Sequence, residues 1–161
     1  MWKTTGATLT VAALGLLVPS GAAVADHVSG TRGSDSIVGT AQDDTIRGLG
    51  GDDFIHGRRG SDLLYGGPGD DLLRGQRGRD VINGQTGDDD LWGGRGNDEV
   101  TDGPGRDRVF LGRGNDVVYS RADGARDRIR CGPGEDQVWY VGDPDPRDVL
   151  IGCEHVGDWS Q

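Results

Sequence analysis

Ten aspartates recur every nine residues through the middle of the chain, and their carboxylates are the groups best able to do chemistry. They are Asp35, Asp44, Asp53, Asp62, Asp71, Asp80, Asp89, Asp98, Asp107 and Asp116. Carboxylate oxygens ligate hard cations, and paired carboxylates can also act as a general acid and base. Because every repeat carries the same acid, the pattern favours cation binding over a single catalytic pair.

Two further residue types keep the same nine-residue period. An aliphatic residue follows each aspartate by two positions: Ile37, Ile46, Ile55, Leu64, Leu73, Ile82, Leu91, Val100, Val109 and Val118. Glycine precedes each aspartate by two positions, with Gln42 as the exception: Gly33, Gly51, Gly60, Gly69, Gly78, Gly87, Gly96, Gly105 and Gly114. Each repeat therefore consists of a glycine-rich half that ends in aspartate and a short half that carries one aliphatic side chain.

These two halves predict the elements that hold the aspartates in place. The glycines permit positive φ and close backbone approach, so we expect six residues of tight turn whose carbonyls can point at a ligand. The other three residues form a strand whose middle side chain faces inward. One aliphatic per repeat cannot form a core, but stacked repeats would align the ten aliphatics into one ladder. The sequence thus predicts an all-β solenoid with two repeats in each coil.

Stacking would align the aspartates along two edges. One edge would carry Asp35, Asp53, Asp71, Asp89 and Asp107, and the other Asp44, Asp62, Asp80, Asp98 and Asp116. Parallel strands lie about 4.8 Å apart, so neighbouring carboxylates on one edge would be similarly spaced. Each pair would repel by roughly 1 kcal/mol even at the dielectric of water. This repulsion calls for a cation between neighbouring coils.

The donor atoms predict calcium as that cation. The available ligands are carboxylate oxygens and turn carbonyls, and neither histidine nor cysteine occupies a ligand position of the repeats. An all-oxygen, flexible set of ligands suits calcium, whereas magnesium prefers a stricter octahedron with retained waters.

The repeats resemble a known family. The pattern GGxGxDxUx, cleanest in "GGPGDDLLR" (66–74), is similar to the nonapeptide repeat of hemolysin-type calcium-binding (RTX) proteins over about residues 30–119, and more weakly to residue 138. The resemblance implies a parallel β-roll of about ten repeats, with each ion held between same-edge turns by the aspartates and by glycine carbonyls. The implied glycine ligands are Gly48, Gly57, Gly66, Gly75, Gly84 and Gly93 at the first position, and Gly51, Gly60, Gly69, Gly78, Gly87 and Gly96 at the fourth. Five turns on each edge enclose four gaps, so at most eight calcium ions are expected.

Three residues depart from the family pattern. Gln42 stands where the turn requires glycine and would need an unfavourable backbone conformation. Asp102 and Leu111 replace first-position glycines, and we expect them to contribute backbone alone. These departures make the outermost gaps the weakest candidates for calcium.

The regions flanking the repeats predict export and a cap. Residues 1–25 combine Lys3, an apolar run and the small-residue site Ala23-Val24-Ala25, which is typical of a secretory signal peptide. A short lead (26–29) precedes the repeats (30–119), and 120–161 contain irregular repeats and a C-terminal cap. Cys131 and Cys153, the two cysteines of a chain predicted to be secreted, are expected to form a disulfide. The bulk of the cap is expected from Trp139, Tyr140 and Trp159.

The aliphatic ladder is small for the length of chain that it must order. Ordering the backbone is costly, and one aliphatic side chain per repeat returns little of that free energy. The unpaired carboxylates oppose folding further. We therefore predict that calcium binding and folding are a single event.

Composition and motifs limit the functions that the chain can have. Its net charge of −10 at pH 7 disfavours nucleic acid and anionic membranes as partners. The three histidines are scattered, and neither HExxH nor GxSxG occurs, so we predict a non-catalytic, monomeric, extracellular protein without a membrane span in its mature part.

Three functions compete: a structural or sequestering calcium-binding module, an adhesion module with a ligand surface on a calcium-stiffened scaffold, and a small hydrolase or lyase acting on acidic polysaccharide. The first is favoured. The second would be favoured by outward aromatics in rows, with Phe54, His56, Tyr65, Trp92, Phe110 and Tyr119 as the outward candidates. Tyr65 and Trp92 fall on opposite sheets, so no row of aromatics is expected.

Overall fold

The structure is a computed structural model that describes residues 10–11 and 27–158, and every regular element in this part of the chain is a β-strand. The strands are β1 (Thr10–Val11), β2 (His27–Ser29), β3 (Ser36–Val38), β4 (Thr45–Arg47), β5 (Phe54–Arg59), β6 (Leu63–Pro68), β7 (Leu72–Arg77), β8 (Val81–Thr86), β9 (Asp90–Arg95), β10 (Glu99–Thr101), β11 (Arg108–Arg113), β12 (Val117–Arg121), β13 (Arg128–Arg130), β14 (Gln137–Val141), β15 (Val149–Ile151) and β16 (His155–Asp158).

The strands form two parallel sheets of eight, which confirms the predicted all-β parallel solenoid. Odd-numbered strands make one sheet in the order β1-β3-β5-β7-β9-β11-β13-β15, and even-numbered strands make the other. Strand partners in the repeats lie two nonapeptides apart in the sequence, as in Ile55↔Leu73 and Leu64↔Ile82. Two nonapeptides therefore form one coil.

Strand β1 lies inside the segment predicted to be a signal peptide. It extends the odd sheet through the pairs Thr10↔Ser36 and Val11↔Ile37. The rest of that segment, residues 1–9 and 12–25, lies outside the described residues.

The core is the predicted ladder of aliphatic side chains between the two sheets. All ten are fully buried, from Ile37 to Val118. Ile129 and Val138 continue the ladder, and Leu111, Cys131 and Tyr140 also belong to the core cluster. The interior therefore contains more side chains toward the C-terminal end.

The central strands are longer than the three residues predicted. Strands β5 to β9 and β11 each span six residues, because backbone pairing continues from the strand into the stacked turn. Leu49 N donates to Gly66 O (3.0 Å) and Gly51 N donates to Pro68 O (2.9 Å), so adjacent turns are hydrogen-bonded to each other. The chain still bends within these segments, since Arg58 in β5 has a φ of 87°.

The solenoid continues past residue 119, through the region where the sequence predicted irregular repeats and a C-terminal cap. The register lengthens by two at Val109↔Ile129 and Val118↔Val138, and the additional residues lie in the turns. The predicted disulfide is present and joins Cys131 to Cys153 across the last coils.

The aromatic residues predicted for the cap have different environments in the structure. Tyr140 is buried in the core, and the indole of Trp139 packs over Gly157. Trp159 lies outside the described residues.

Among the described residues, no helix is long and apolar enough to cross a membrane.

Candidate metal centre

The repeat aspartates form a hydrogen-bonded ladder along each edge of the solenoid. In the repeat aspartates from Asp53 to Asp116, one carboxylate oxygen, Oδ1, accepts the backbone N–H of the aspartate one coil earlier, as Asp71 Oδ1 does from Asp53 N at 2.8 Å. The same bond recurs from Asp35 N→Asp53 Oδ1 to Asp98 N→Asp116 Oδ1, and it continues past the register change in Asp107 N→Asp127 Oδ1. This bond fixes the orientation of each carboxylate.

The second oxygen of most of these carboxylates is buried and has no hydrogen-bond partner. These Oδ2 atoms belong to Asp53, Asp62, Asp71, Asp80, Asp89, Asp98, Asp107, Asp116 and Asp136. The side chains that bear them are at most 3% exposed. An ionised oxygen buried in this way carries a large desolvation cost unless a cation or a proton accompanies it.

Six of these nine orphaned oxygens face small spaces that exist because the first residue of the turn is glycine. A Cβ built on Gly93 would lie 2.6 Å from Asp98 Oδ2 and 2.6 Å from the carbonyl oxygen of Leu111 in the next coil. A Cβ on Gly48 would likewise collide with Asp53 Oδ2 and lie 2.6 Å from Gly66 O. Calcium–oxygen distances are about 2.3–2.6 Å. The place that a side chain would fill is therefore a cradle of calcium-binding size between a carboxylate and a backbone carbonyl.

Six turns combine a first-position glycine with an orphaned aspartate oxygen. The pairs are Gly48 with Asp53, Gly57 with Asp62, Gly66 with Asp71, Gly75 with Asp80, Gly84 with Asp89, and Gly93 with Asp98. We call these six turns the glycine cradles.

The fourth-position glycines have a different environment. Those from Gly51 to Gly96 all have positive φ, between 89° and 138°. A Cβ on Gly69 would collide with the carbonyl of Gly51 in the preceding coil. The structure therefore explains these glycines by backbone conformation and close stacking of turns, and their contribution as ligands stays a prediction.

The first two turns lack the orphaned oxygen. Thr31 N and Thr31 Oγ1 both donate to Asp35 Oδ2. Thr40 makes the same pair of contacts with Asp44 Oδ2, at 2.7 and 3.1 Å. Sequence reasoning missed these two threonines, although "GT" opens both turns and distinguishes them from the turns that follow. Their hydroxyls already satisfy the carboxylates that calcium would use.

Gln42 avoids the strain expected of it. It is not among the described residues with positive φ, and its N–H donates to Thr40 Oγ1 at 3.2 Å. The second turn therefore adopts a different backbone path instead of forcing Gln42 into the left-handed region.

The other two departures place side chains inside the solenoid, where backbone alone was expected. Leu111 is fully buried in the core cluster, so an apolar side chain replaces the glycine that precedes Asp116. Asp102 is also fully buried and brings an extra carboxylate into the interior.

The electrostatics of the ladder agree with its geometry. Burial, together with the charges of neighbouring aspartates, raises the pKa of Asp62, Asp71 and Asp98 to about 7. Burial raises the pKa of Asp80 and Asp89 to about 6. The backbone hydrogen bond to each carboxylate lowers the pKa, but by less than burial raises it. Near neutral pH these carboxylates are therefore poised between holding a proton and holding a cation.

The residues present fit calcium. The donors are all oxygen, each cradle offers a carboxylate, and the carboxylates are uncompensated; the cradles of Gly48, Gly66, Gly84 and Gly93 also offer a backbone carbonyl of the next coil. A family model described as the RTX calcium-binding nonapeptide repeat matches the chain in four copies, over residues 29–64, 65–100, 87–118 and 96–124. The chain belongs to this RTX repeat family. No curated protein matches the chain, and no solved structure matches it.

A row of aromatic and arginine side chains lies on the outer face of the odd sheet of this RTX solenoid, where no row was expected. Trp92 and Phe110 are register partners in adjacent coils and stack with their ring centroids 4.3 Å apart. The Arg74 guanidinium lies 5.6 Å from the Trp92 ring centroid, and the Arg130 guanidinium lies 5.8 Å from that of Phe110. The prediction compared Tyr65 with Trp92, which do lie on different sheets, and overlooked the pair formed by Trp92 and Phe110.

Proposed function

We propose that this chain is an extracellular, non-catalytic calcium-binding protein whose six glycine cradles each hold one calcium ion. The observation that carries the proposal is the pairing of a buried, unpartnered Asp Oδ2 with a first-position glycine in six successive turns. Six ions is two fewer than the eight that the repeat count allows, because Asp35 and Asp44, which open the first gap on each edge, already bond to threonine.

We further propose that calcium orders the solenoid. Without a cation, folding would bury the six unpartnered carboxylate oxygens of the glycine cradles, whereas the unfolded chain keeps them hydrated. A ligand that binds only the folded chain adds stability in proportion to the logarithm of its concentration over Kd. Six such ions would supply what the single aliphatic ladder does not.

An extracellular location is supported by the RTX family match, by the disulfide and by the predicted signal peptide. Extracellular fluids supply the calcium concentration, on the order of 10⁻³ M, that modules of modest affinity require.

The test is a calcium titration of the chelator-treated protein, followed by far-ultraviolet circular dichroism with magnesium as control. We expect a cooperative gain of β structure at roughly 10⁻⁴ to 10⁻³ M calcium, the range typical of extracellular modules, and no comparable change with magnesium. A β spectrum that is complete without calcium and unchanged by it would contradict calcium-driven folding.

A second candidate function, ligand binding on the calcium-stiffened scaffold, is favoured by the row on the odd sheet. Phe110 and Arg130 also line a cavity of about 250 Å³ together with Arg108, Arg128 and Ile151. Stacked rings suit the flat face of a sugar, and arginines suit its carboxylates. Trp92→Ala should therefore weaken binding to a polyuronate while leaving the calcium titration unchanged. Equal polyuronate binding by wild type and Trp92→Ala would reject this candidate.

A further inference from the structure

One acidic cluster in the structure does not follow the repeat pattern. Asp102 occupies the first position of its turn, where the six glycine cradles have glycine. Carboxylate oxygens of Asp102, Asp107 and Asp127 all lie within 4.8 Å of one another, and all three side chains are buried. We call these three residues the interior triad.

The triad contains carboxylate oxygens that the protein leaves unpaired. Asp102 is 0% exposed, and its Oδ1 accepts hydrogen bonds from Gly103 N (2.7 Å) and Arg121 N (3.3 Å). Its Oδ2 has no hydrogen-bond partner. Asp107 has the same arrangement: Oδ1 accepts from Asp89 N at 2.8 Å, and Oδ2 is orphaned. Two fixed carboxylates thus bring free oxygens into one buried space.

No counter-ion for the triad comes from the protein itself. Among the described residues, none of the three aspartates forms an ion pair with an arginine, and the one salt bridge found there joins Arg108 to Asp90 on the outer face. The hydroxyl of Ser120 lies near Asp102 but outside hydrogen-bond geometry, and it adds one more buried oxygen. The three carboxylates therefore lie close to further oxygen atoms and have no ion-pair partner among the described residues.

The spacing within the triad suits a single ion. Oxygens bound to one calcium at about 2.3–2.6 Å cannot be more than about 5 Å apart, and the triad oxygens meet this limit. We propose that Asp102, Asp107 and Asp127 form a separate binding site for a hard divalent cation such as calcium. This site goes beyond the glycine cradles, because three side-chain carboxylates supply its ligands and one of them replaces the repeat glycine.

The position of the triad gives the site a structural role. Asp107 and Asp127 are paired across the coil where the register lengthens from 18 to 20 residues. An ion there joins the regular repeats to the coils that carry the disulfide. Its ligand set carries three negative charges, and a larger ligand charge gives tighter calcium binding. We therefore expect this ion to be the last one that a chelator removes.

The experiment counts bound calcium ions and measures their affinities by competition with a chelator in the full chain. Asp102→Asn removes the charge and keeps an oxygen acceptor for Gly103 N and Arg121 N. Asp102→Gly restores the glycine that the six cradles have at this position. Glu99→Gln is the matched control, because it removes one negative charge from the outer face of the same coil. Circular dichroism in excess calcium verifies that each variant retains its β structure.

We expect both Asp102 variants to lose the tightest ion, or to bind it on the order of tenfold more weakly, since ligand charge count sets calcium affinity. Glu99→Gln should match wild type. Equal numbers and affinities in wild type, Asp102→Asn and Asp102→Gly would overturn the proposal.

Terbium luminescence gives a second readout with its own control. Tyr140 is buried beside the triad, where burial and the charges of Asp148, Asp102 and Asp127 raise its pKa. The part of the terbium emission that Tyr140 sensitises is obtained by subtracting the emission of Tyr140→Phe from that of the wild type. Asp102→Asn should abolish this component, and its persistence in that variant would also overturn the site.

The same count separates this inference from the proposed function. If the glycine cradles bind nothing and the triad binds, wild type holds one ion and Asp102→Asn holds none. If the cradles bind and the triad does not, wild type and Asp102→Asn hold the same number.

Discussion

Filling one glycine cradle tests the central idea most directly, and Gly66→Ala is the variant of choice. The added Cβ would collide with Asp71 Oδ2 and would lie 2.7 Å from Gly84 O. The carboxylate cannot simply move aside, because Asp71 Oδ1 is held by Asp53 N and Gly84 O belongs to the backbone. Gly66 does not have positive φ, so alanine adds no conformational strain of its own. The effect of the substitution is therefore confined to the cradle.

The expected magnitude follows from the loss of one ion. At a calcium concentration about 100-fold above Kd, one bound ion adds about 2.7 kcal/mol to the free energy of unfolding. Gly66→Ala should lose about this much in calcium, as measured by urea denaturation, and should bind one ion fewer by direct counting.

Gly33→Ala is the matched control, because a Cβ there meets nothing within 4 Å and φ is not positive. That change should leave the ion count unaltered and alter stability by less than about 1 kcal/mol. If Gly66→Ala binds as many ions as Gly33→Ala, the cradles are not the calcium sites.

Three further perturbations have expected outcomes. The folded-state pKa values of Asp71 and Asp107 are raised to about 7 and about 8, so the metal-free fold is favoured in acid and loses stability as pH rises through these values. Calcium must displace the same protons, so its affinity should fall as the solution is acidified through this range; isothermal titration at several pH values measures this, and a flat profile would refute it. Replacing both Cys131 and Cys153 by serine opens a loop with a separation of 22 residues and should cost about 3 kcal/mol in thermal denaturation; an unchanged melting temperature would contradict this. Leu73→Ala should destabilise the calcium-bound protein by about 2–5 kcal/mol in urea denaturation, because it leaves a cavity in the fully buried ladder; a loss below about 1 kcal/mol would mean that the ladder is loosely packed.

The nine-residue period was sufficient to predict the architecture. Side chains alternate across a strand, so an aliphatic such as Leu73 at a fixed place in every repeat had to face a shared interior. The aspartate ladder followed from the same period, and the structure shows it in bonds such as Asp53 N→Asp71 Oδ1. The Cys131–Cys153 disulfide was also predictable, from the presence of only two cysteines.

The direction of the first-position side chains was not predictable from the period alone. The sequence pattern predicts six turn residues and three strand residues in each repeat, which places the first position in a turn. In the structure, pairing continues beyond the three-residue strand, so alternation continues and the first position faces inward. This alternation explains why Leu111 and Asp102 are buried. The nine-residue period alone did not indicate their burial, because it does not show where the strand pairing ends.

The outer row was missed for a different reason. Outward side chains of adjacent coils contact each other when they are one coil apart in the sequence, as Trp92 and Phe110 are. A comparison of Tyr65 with Trp92, which are separated by three repeats, could not detect this pair. The sequence already predicted two repeats in each coil, so a comparison at the two-repeat offset would have paired Trp92 with Phe110.

The first-position residue thus decides how each coil is stabilised. Where it is glycine, as at Gly66, the interior keeps a space beside a buried carboxylate, and a cation can complete that coil. Where it is Leu111, Cys131 or Tyr140, a side chain joins the core cluster instead, and the Cys131–Cys153 bond adds a covalent link. These C-terminal coils bury more apolar surface and depend less on an ion. Because a folded coil presents an open strand edge to its neighbour, they can act as the template on which the calcium-dependent coils assemble. Asp102 lies at the junction between the calcium-dependent coils and the C-terminal coils. This position explains why Asp102 is the one carboxylate among the first-position residues from Gly30 to Leu111.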